Sequence, residues 1–78
     1  MLFDRLKEIL ADIFSTEPDS ITAATEFDEL MADELDFIEL GWTLEEEFGI
    51  SPRQSEAVAG FATVGELYMF LKSTQETH

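Results

Sequence analysis

The sequence predicts a small all-α domain, and three observations predict it. Apolar residues recur at three- and four-residue spacings in separate stretches, residues that cap helices stand at the ends of those stretches, and 78 residues leave room for one core. Independent cores usually take about 100 to 200 residues, so the chain reads as a single domain over 1–78. A fold worth only about 0.05 to 0.15 kcal/mol per residue has little stability left for a deep catalytic cavity.

Leu2, Phe3, Leu6, Ile9, Leu10, Ile13 and Phe14 share one face of a first helix. Ser15 to Glu26 then carries Pro18, Asp19, Ser20, Thr22 and Thr25, which favour turns and local side-chain hydrogen bonds, so a long structured connection is expected, pinned by Ile21 and Phe27. A second helix begins at Asp33, whose carboxylate can accept from the free amides two or three residues on, and runs through Phe48 to a stop at Gly49. Gly49-Ile50-Ser51-Pro52 breaks it, and Ser55 to Val58 is expected to form a short helical turn ending at Gly60. Thr63-Val64-Gly65-Glu66 has capping-box spacing and opens a last helix through Val64, Leu67, Tyr68, Phe70 and Leu71, with Ser73 to His78 expected as a frayed tail.

Charge narrows the function. The formal net charge is -14, and fourteen of the eighteen acids lie between Glu8 and Pro52, where there is no base. Such a field repels nucleic acid and anionic lipid and attracts basic protein surfaces or, weakly, divalent cations. The simplest account is a solvated acidic surface that keeps a small protein soluble. There is no Cys for a disulfide or thiolate metal site, no apolar run near the roughly 18 residues of a membrane span, and no export signal at Met1-Leu2-Phe3-Asp4-Arg5, so a cytoplasmic monomer is expected. Catalysis is not expected either: His78 is the sole histidine, no glycine-rich phosphate loop occurs, and carboxylates on a solvated helix lack the desolvation that tunes catalytic groups. Asp28 to Glu39 also lacks the alternating acids and central glycine of a calcium-binding loop.

The second helix carries two apolar stripes. At about 100° per residue, Phe37, Leu40, Leu44 and Phe48 form a core face with Gly41 beside them, while Leu35, Ile38 and Trp42 fall on nearly the opposite side. Acids frame this second stripe: Asp33 and Glu34 at its start, Glu39 and Glu46 along one edge, Glu45 along the other and Asp36 farther round. A strip that supplies affinity by desolvation, framed by charges that supply orientation, suits protein docking, and Trp is the residue type most typical of interface hot spots. The other account is that the long loop or the segment around Phe61 covers Leu35, Ile38 and Trp42 and makes them ordinary core.

Leu2-Phe3-Asp4-Arg5-Leu6-Lys7-Glu8-Ile9-Leu10-Ala11-Asp12, Asp19-Ser20-Ile21-Thr22, Ala32-Asp33-Glu34-Leu35-Asp36-Phe37-Ile38-Glu39-Leu40, Leu44-Glu45-Glu46-Glu47-Phe48-Gly49-Ile50 and Thr63-Val64-Gly65-Glu66-Leu67 together resemble the bacterial acyl carrier proteins over about residues 2 to 72. The resemblance implies a small four-helix bundle with a long loop between helices 1 and 2. It also implies partners among the enzymes of fatty acid or polyketide synthesis. Family carriers hold the acyl group on a 4'-phosphopantetheine arm joined to the serine of an Asp-Ser-Leu motif at the start of the second helix. Here that tripeptide is Asp33-Glu34-Leu35, so Glu34 occupies the attachment position and no cofactor is expected on the chain as it stands. No Ser occurs from Ile21 to Ile50, and the hydroxyls there are Thr22, Thr25 and Thr43. Met31 also stands where the family usually has glycine, and Arg53 to Phe61 departs from the family's acidic third helix, which leaves the geometry of both segments open.

Glu34 has three readings. A carboxylate in the first turn interacts favourably with the helix dipole, by about 0.3 to 1 kcal/mol; the serine was replaced on purpose in a working carrier; or Glu34 keeps a negative charge where a modified serine would carry a phosphodiester. The leading functional expectation is a carrier-like acidic module that cannot carry and docks on basic surfaces of acyl-chain enzymes through Asp33, Leu35, Asp36, Ile38, Glu39, Trp42, Glu45 and Glu46. The alternatives are a functional carrier with its serine replaced and an unrelated small acidic helical interaction protein. Whichever holds, like charges crowd one stretch of the chain, so the melting temperature is expected to rise on adding calcium, magnesium or monovalent salt. No rise with any of them in a thermal melt would show that charge density does not limit stability.

Overall fold

The computed structural model describes residues 2–76, and its α-helices run Leu2–Ile13 (α1), Glu34–Phe48 (α2), Pro52–Ala57 (α3) and Val64–Glu76 (α4). Single 3-10 turns at Pro18–Ser20 and Val58–Gly60 complete the helical structure. Leu6 and Leu10 of α1, Leu40 and Leu44 of α2, Val58, and Leu67 and Leu71 of α4 are fully buried and form one core. This is the expected small four-helix fold with a long first connection.

Each boundary follows from local chemistry. α1 ends through Ser15, whose φ of 53° lets the Thr16 N–H turn back to the Ala11 carbonyl at 2.9 Å. α2 is fixed at both ends. Asp33 accepts from the Asp36 N–H at 2.9 Å while the Asp33 N–H donates to the Asp36 carboxylate at 3.1 Å, and Gly49 closes the helix at φ 69° with its N–H on the Glu45 carbonyl at 3.0 Å. Burial of Leu40, Gly41 and Leu44 marks the expected core face, with Phe37 and Phe48 half-buried beside it.

The long connection is held, as expected, by Ile21 and Phe27, which are buried. Its backbone also bonds to the entry of α4: Phe27 N–H to Ala62 O at 3.0 Å, Val64 N–H to Thr25 O at 2.9 Å and Gly65 N–H to Ala23 O at 2.9 Å. A Cβ on residue 65 would lie 2.8 Å from the Ala23 carbonyl oxygen, so glycine is what lets the loop come this close.

Three expectations need correction. The third helix starts at Pro52, earlier than the expected Ser55, because Ser51 and Gln54 form a capping box and Pro52 suits the first helical turn. The segment 73–76 is helix, where a frayed tail was expected: Thr74 is buried, and the Gln75 side chain donates to the Phe48 carbonyl at 3.0 Å, tying α4 to the end of α2. Thr77 and His78, the rest of that expected tail, lie outside the described residues. At the start of α4, Thr63 accepts from the Glu66 N–H at 3.2 Å, but Glu66 reaches back to the Ala62 N–H, at 3.0 Å, instead of completing the reciprocal pair at Thr63.

Met31 sits just before α2 with φ 58° and is 85% exposed. An L-residue in this left-handed region costs about 1 to 2 kcal/mol, and glycine escapes that cost while gaining some freedom in the unfolded chain. Met31→Gly is therefore expected to stabilise the protein by about 1 kcal/mol in urea melts. Met31→Ala is expected to give no comparable gain; a glycine variant less stable than the parent would contradict this account of the loop.

Candidate functional site

α2 presents its second stripe to solvent. Leu35 is 73% exposed, Ile38 42% and Trp42 66%. The long connection does not cover them because its backbone is committed to 62–65, and Phe61 turns instead to Phe70, with ring centroids 5.3 Å apart. Of the two accounts of this stripe, covered core is therefore the one corrected.

The framing acids divide into three groups. Asp33 and Asp36 spend carboxylate oxygens on the cap of α2. Glu45 accepts from the Ser55 hydroxyl at 2.6 Å, and that hydroxyl also lies 3.0 Å from the Pro52 carbonyl, so Glu45 latches α3 to α2. Glu34, Glu39 and Glu46 are exposed. Glu39 borders a separate polar depression with Arg5, Glu8, Asp12 and Thr43, away from the groove that Glu34 borders.

That groove, of about 390 Å³, runs between α2 and α3. Phe37, Ile38, Gly41 and Trp42 form its α2 side, with Glu34 at the start of that helix. Ser55, Glu56 and Ala59 form the other side. The structure thus brings Glu34, Ile38 and Trp42 together. Leu35, Asp33 and Asp36 do not line the groove, although Leu35 remains on the exposed stripe. The residues from the α3 side, together with Phe37 and Gly41, were missed by sequence reasoning as members of a site. Gly41 was a legible signal, since a glycine beside the core face of a helix invites close approach; a Cβ there would meet the Ser55 Cβ at 3.3 Å.

A phosphodiester link needs an attacking hydroxyl, and the first turn of α2 offers the carboxylates of Glu34 and Asp36 instead. Thr43 Oγ1, in the same helix, donates to the Glu39 carbonyl at 2.9 Å, and Thr22 and Thr25 use their hydroxyls in bonds within the long connection. Among the described residues, no group of three or more His, Cys, Asp or Glu converges to hold a metal ion, and no helix is long and apolar enough to cross a membrane.

Residues 4–71 match the family model described as the phosphopantetheine attachment site. The chain is 42% identical over 76 residues to an acyl carrier protein of Clostridium perfringens, covering 96% of this chain and 99% of that one. It is 39% identical over 75 residues to an acyl carrier protein of Lactobacillus acidophilus, covering 95% and 92%. A third relative, an acyl carrier protein of Sulfurovum sp., is 37% identical over 73 residues, covering 92% and 96%.

Exposure of Trp42 sets the cost of removing it. A buried Trp cut to Ala loses about 3 to 5 kcal/mol of stability, whereas a surface substitution usually stays within about 0.5 kcal/mol. Trp42→Ala is expected to fall near the second figure in urea melts, and acrylamide should quench the single Trp readily. A shielded Trp whose removal unfolds the protein would return the stripe to the core.

Proposed function

The chain belongs to the acyl carrier protein family, and on that premise we propose that it is a member that docks without carrying: an acidic binding module for acyl-chain synthesis or transfer enzymes that receives no phosphopantetheine arm. Membership sets aside the reading as an unrelated acidic helical protein. The observation that carries the proposal is Glu34, a carboxylate at the first position of α2, beside the exposed stripe of Leu35, Ile38 and Trp42. The transfer that installs the arm requires a hydroxyl to attack the pyrophosphate of coenzyme A, with the phosphodiester forming at that oxygen. Glu34 has no such hydroxyl.

The docking surface does not need the arm in order to work. Leu35, Ile38 and Trp42 supply apolar area that loses water on contact, and the acids around them favour a basic partner face and speed its encounter. Glu34 contributes a fixed negative charge where a modified serine would hold a phosphodiester, so a partner surface shaped for a loaded carrier meets the same sign of charge. The partner interaction should weaken as salt screens these exposed acids. The same acids take up divalent cations loosely, and the module acts as a monomer in the cytoplasm, where carrier-dependent enzymes work.

The chemistry of position 34 can be tested by mass. Incubation with coenzyme A and a broad-specificity phosphopantetheinyl transferase is expected to leave the protein's mass unchanged, and Glu34→Ser is expected to gain the arm. A gain of the arm by the unsubstituted chain would overturn the proposal. Failure of Glu34→Ser to react would point to Met31 or to the segment from Arg53 to Phe61 as a second barrier to modification.

A further inference from the structure

Met31 departs from the rest of the long connection in two respects at once. Its φ lies in the left-handed region, which glycine enters without the cost an L-residue meets, and it is a large apolar residue left exposed. The turn that holds it there is fixed: the Met31 N–H donates to the Asp28 carbonyl at 3.1 Å and the Ala32 N–H to the Phe27 carbonyl at 3.2 Å, with Phe27 buried. Its neighbours Leu30 and Ala32 pack against the core while Met31 meets water. The fold draws little packing from methionine here, and a residue held at a conformational cost without that return indicates a use outside the fold.

Of the five large apolar residues exposed among the described residues, four lie between positions 31 and 42: Met31, Leu35, Ile38 and Trp42. Met31 carries this series past the cap at Asp33 and into the long connection. Asp28, Glu29, Asp33 and Glu34, which flank it in sequence, are exposed, and in a chain of net charge -14 they oppose a second copy or anionic lipid as its cover. A protein surface with an apolar pocket beside a basic rim is the cover they favour. We propose that Met31 is an apolar anchor that enters such a pocket on the partner enzyme, next to the face that α2 meets. An unbranched, flexible thioether suits this task because it adapts to an irregular cavity. The inference deepens the docking reading above, on which it rests, by adding an anchor outside α2 that works through loss of water and not through charge.

Isothermal titration into a chain-elongating enzyme that acts on carrier proteins in the same cell reads the anchor. Met31→Gln, of similar length but polar, is expected to weaken binding about tenfold, the loss that follows when one apolar side chain no longer leaves water. Met31→Leu, which keeps the apolar bulk, is expected to retain most of the affinity. Met31→Gly removes the side chain and the backbone cost together, so it should unfold at higher urea yet bind about tenfold more weakly. A purely structural residue would not move those two measurements in opposite senses. Because the anchor acts by desolvation, the affinity ratio of the parent to Met31→Gln should hold as salt is raised, even as both affinities fall. Met69→Gln, at the exposed methionine of α4, should bind like the parent. Parent-like affinity of Met31→Gln or Met31→Gly, a Met31→Leu variant as weak as Met31→Gln, an equal loss in Met69→Gln, or a ratio that salt abolishes would overturn the assignment. Absence of binding by the parent defeats the docking reading and the anchor with it, whereas a parent that binds no better than Met31→Gln defeats the anchor alone.

Discussion

Residue 41 has no side chain, and α3 lies so close to α2 there that a Cβ would be a tight fit. A Cβ on Gly41 would stand 3.3 Å from the Ser55 Cβ, and at that separation the Ser55 hydroxyl reaches the Glu45 carboxylate. α3 could not hold this position unaided: it spans six residues and buries none of them. Its capping box, the bond from Ser55 to Glu45 and the buried side chain of Val58 just beyond it fix it in place. With α3 so placed, Leu40 and Leu44 close the core on one side of α2, while Trp42 and Ile38 overhang a groove on the other. Gly41 thus connects the packing of the fold to the shape of its binding surface.

A small chain with a net charge of -14 must keep its acids from opposing its fold, and here several are consumed locally. Asp33, Asp36 and Glu66 satisfy helix-end amides, where negative charge is favoured. Arg5 joins α1 to α2 by pairing with Glu47 and also contacts Glu8 at 3.2 Å. The hydrogen bond from Arg5 holds the Glu47 carboxyl below the usual carboxylate range, with the nearby positive charge adding to it and partial desolvation opposing it. Because the folded-state value is the lower one, this pair supports folding above the unfolded carboxyl's range and loses that support as pH falls through the folded value. It is a surface pair, so its role is chiefly to set how α1 meets the end of α2. Acids left outside such bonds, Glu34 and Glu56 among them, remain available to a partner.

The parts of the fold read correctly from sequence were those decided locally. Period and caps specified α1 and α2, down to the carboxylate of Asp33 and the left-handed Gly49, and the apolar Ile21 and Phe27 identified the anchors of the long connection. The start of α3 was displaced because Gly49 to Pro52 resembles a plain break, although Ser51 with Gln54 three residues later also spells a cap. The end of α4 was missed because its anchors are polar: Thr74 is buried, and Gln75 bonds across to Phe48, neither visible in an apolar pattern. The exposed stripe on α2 was legible as an excess of apolar residues on the wrong face. Its groove was not, since Glu56 and Ala59 join Trp42 only through the approach of two helices that sequence places several residues apart.

The chain has the acyl carrier protein fold, with the carboxylate of Glu34 at the first position of α2 and an exposed apolar stripe beside it. The proposed role requires α2 to engage acyl-chain enzymes through its own side chains. The direct measurement is isothermal titration of the unsubstituted protein, and of Glu34→Ser loaded with the arm, into a chain-elongating enzyme that acts on carrier proteins in the same cell. The armless protein is expected to bind, added salt to weaken that binding, and Trp42→Ala to weaken it further. No binding by the armless protein, with binding restored only in the loaded variant, would rule out docking through α2 alone and place recognition in the arm.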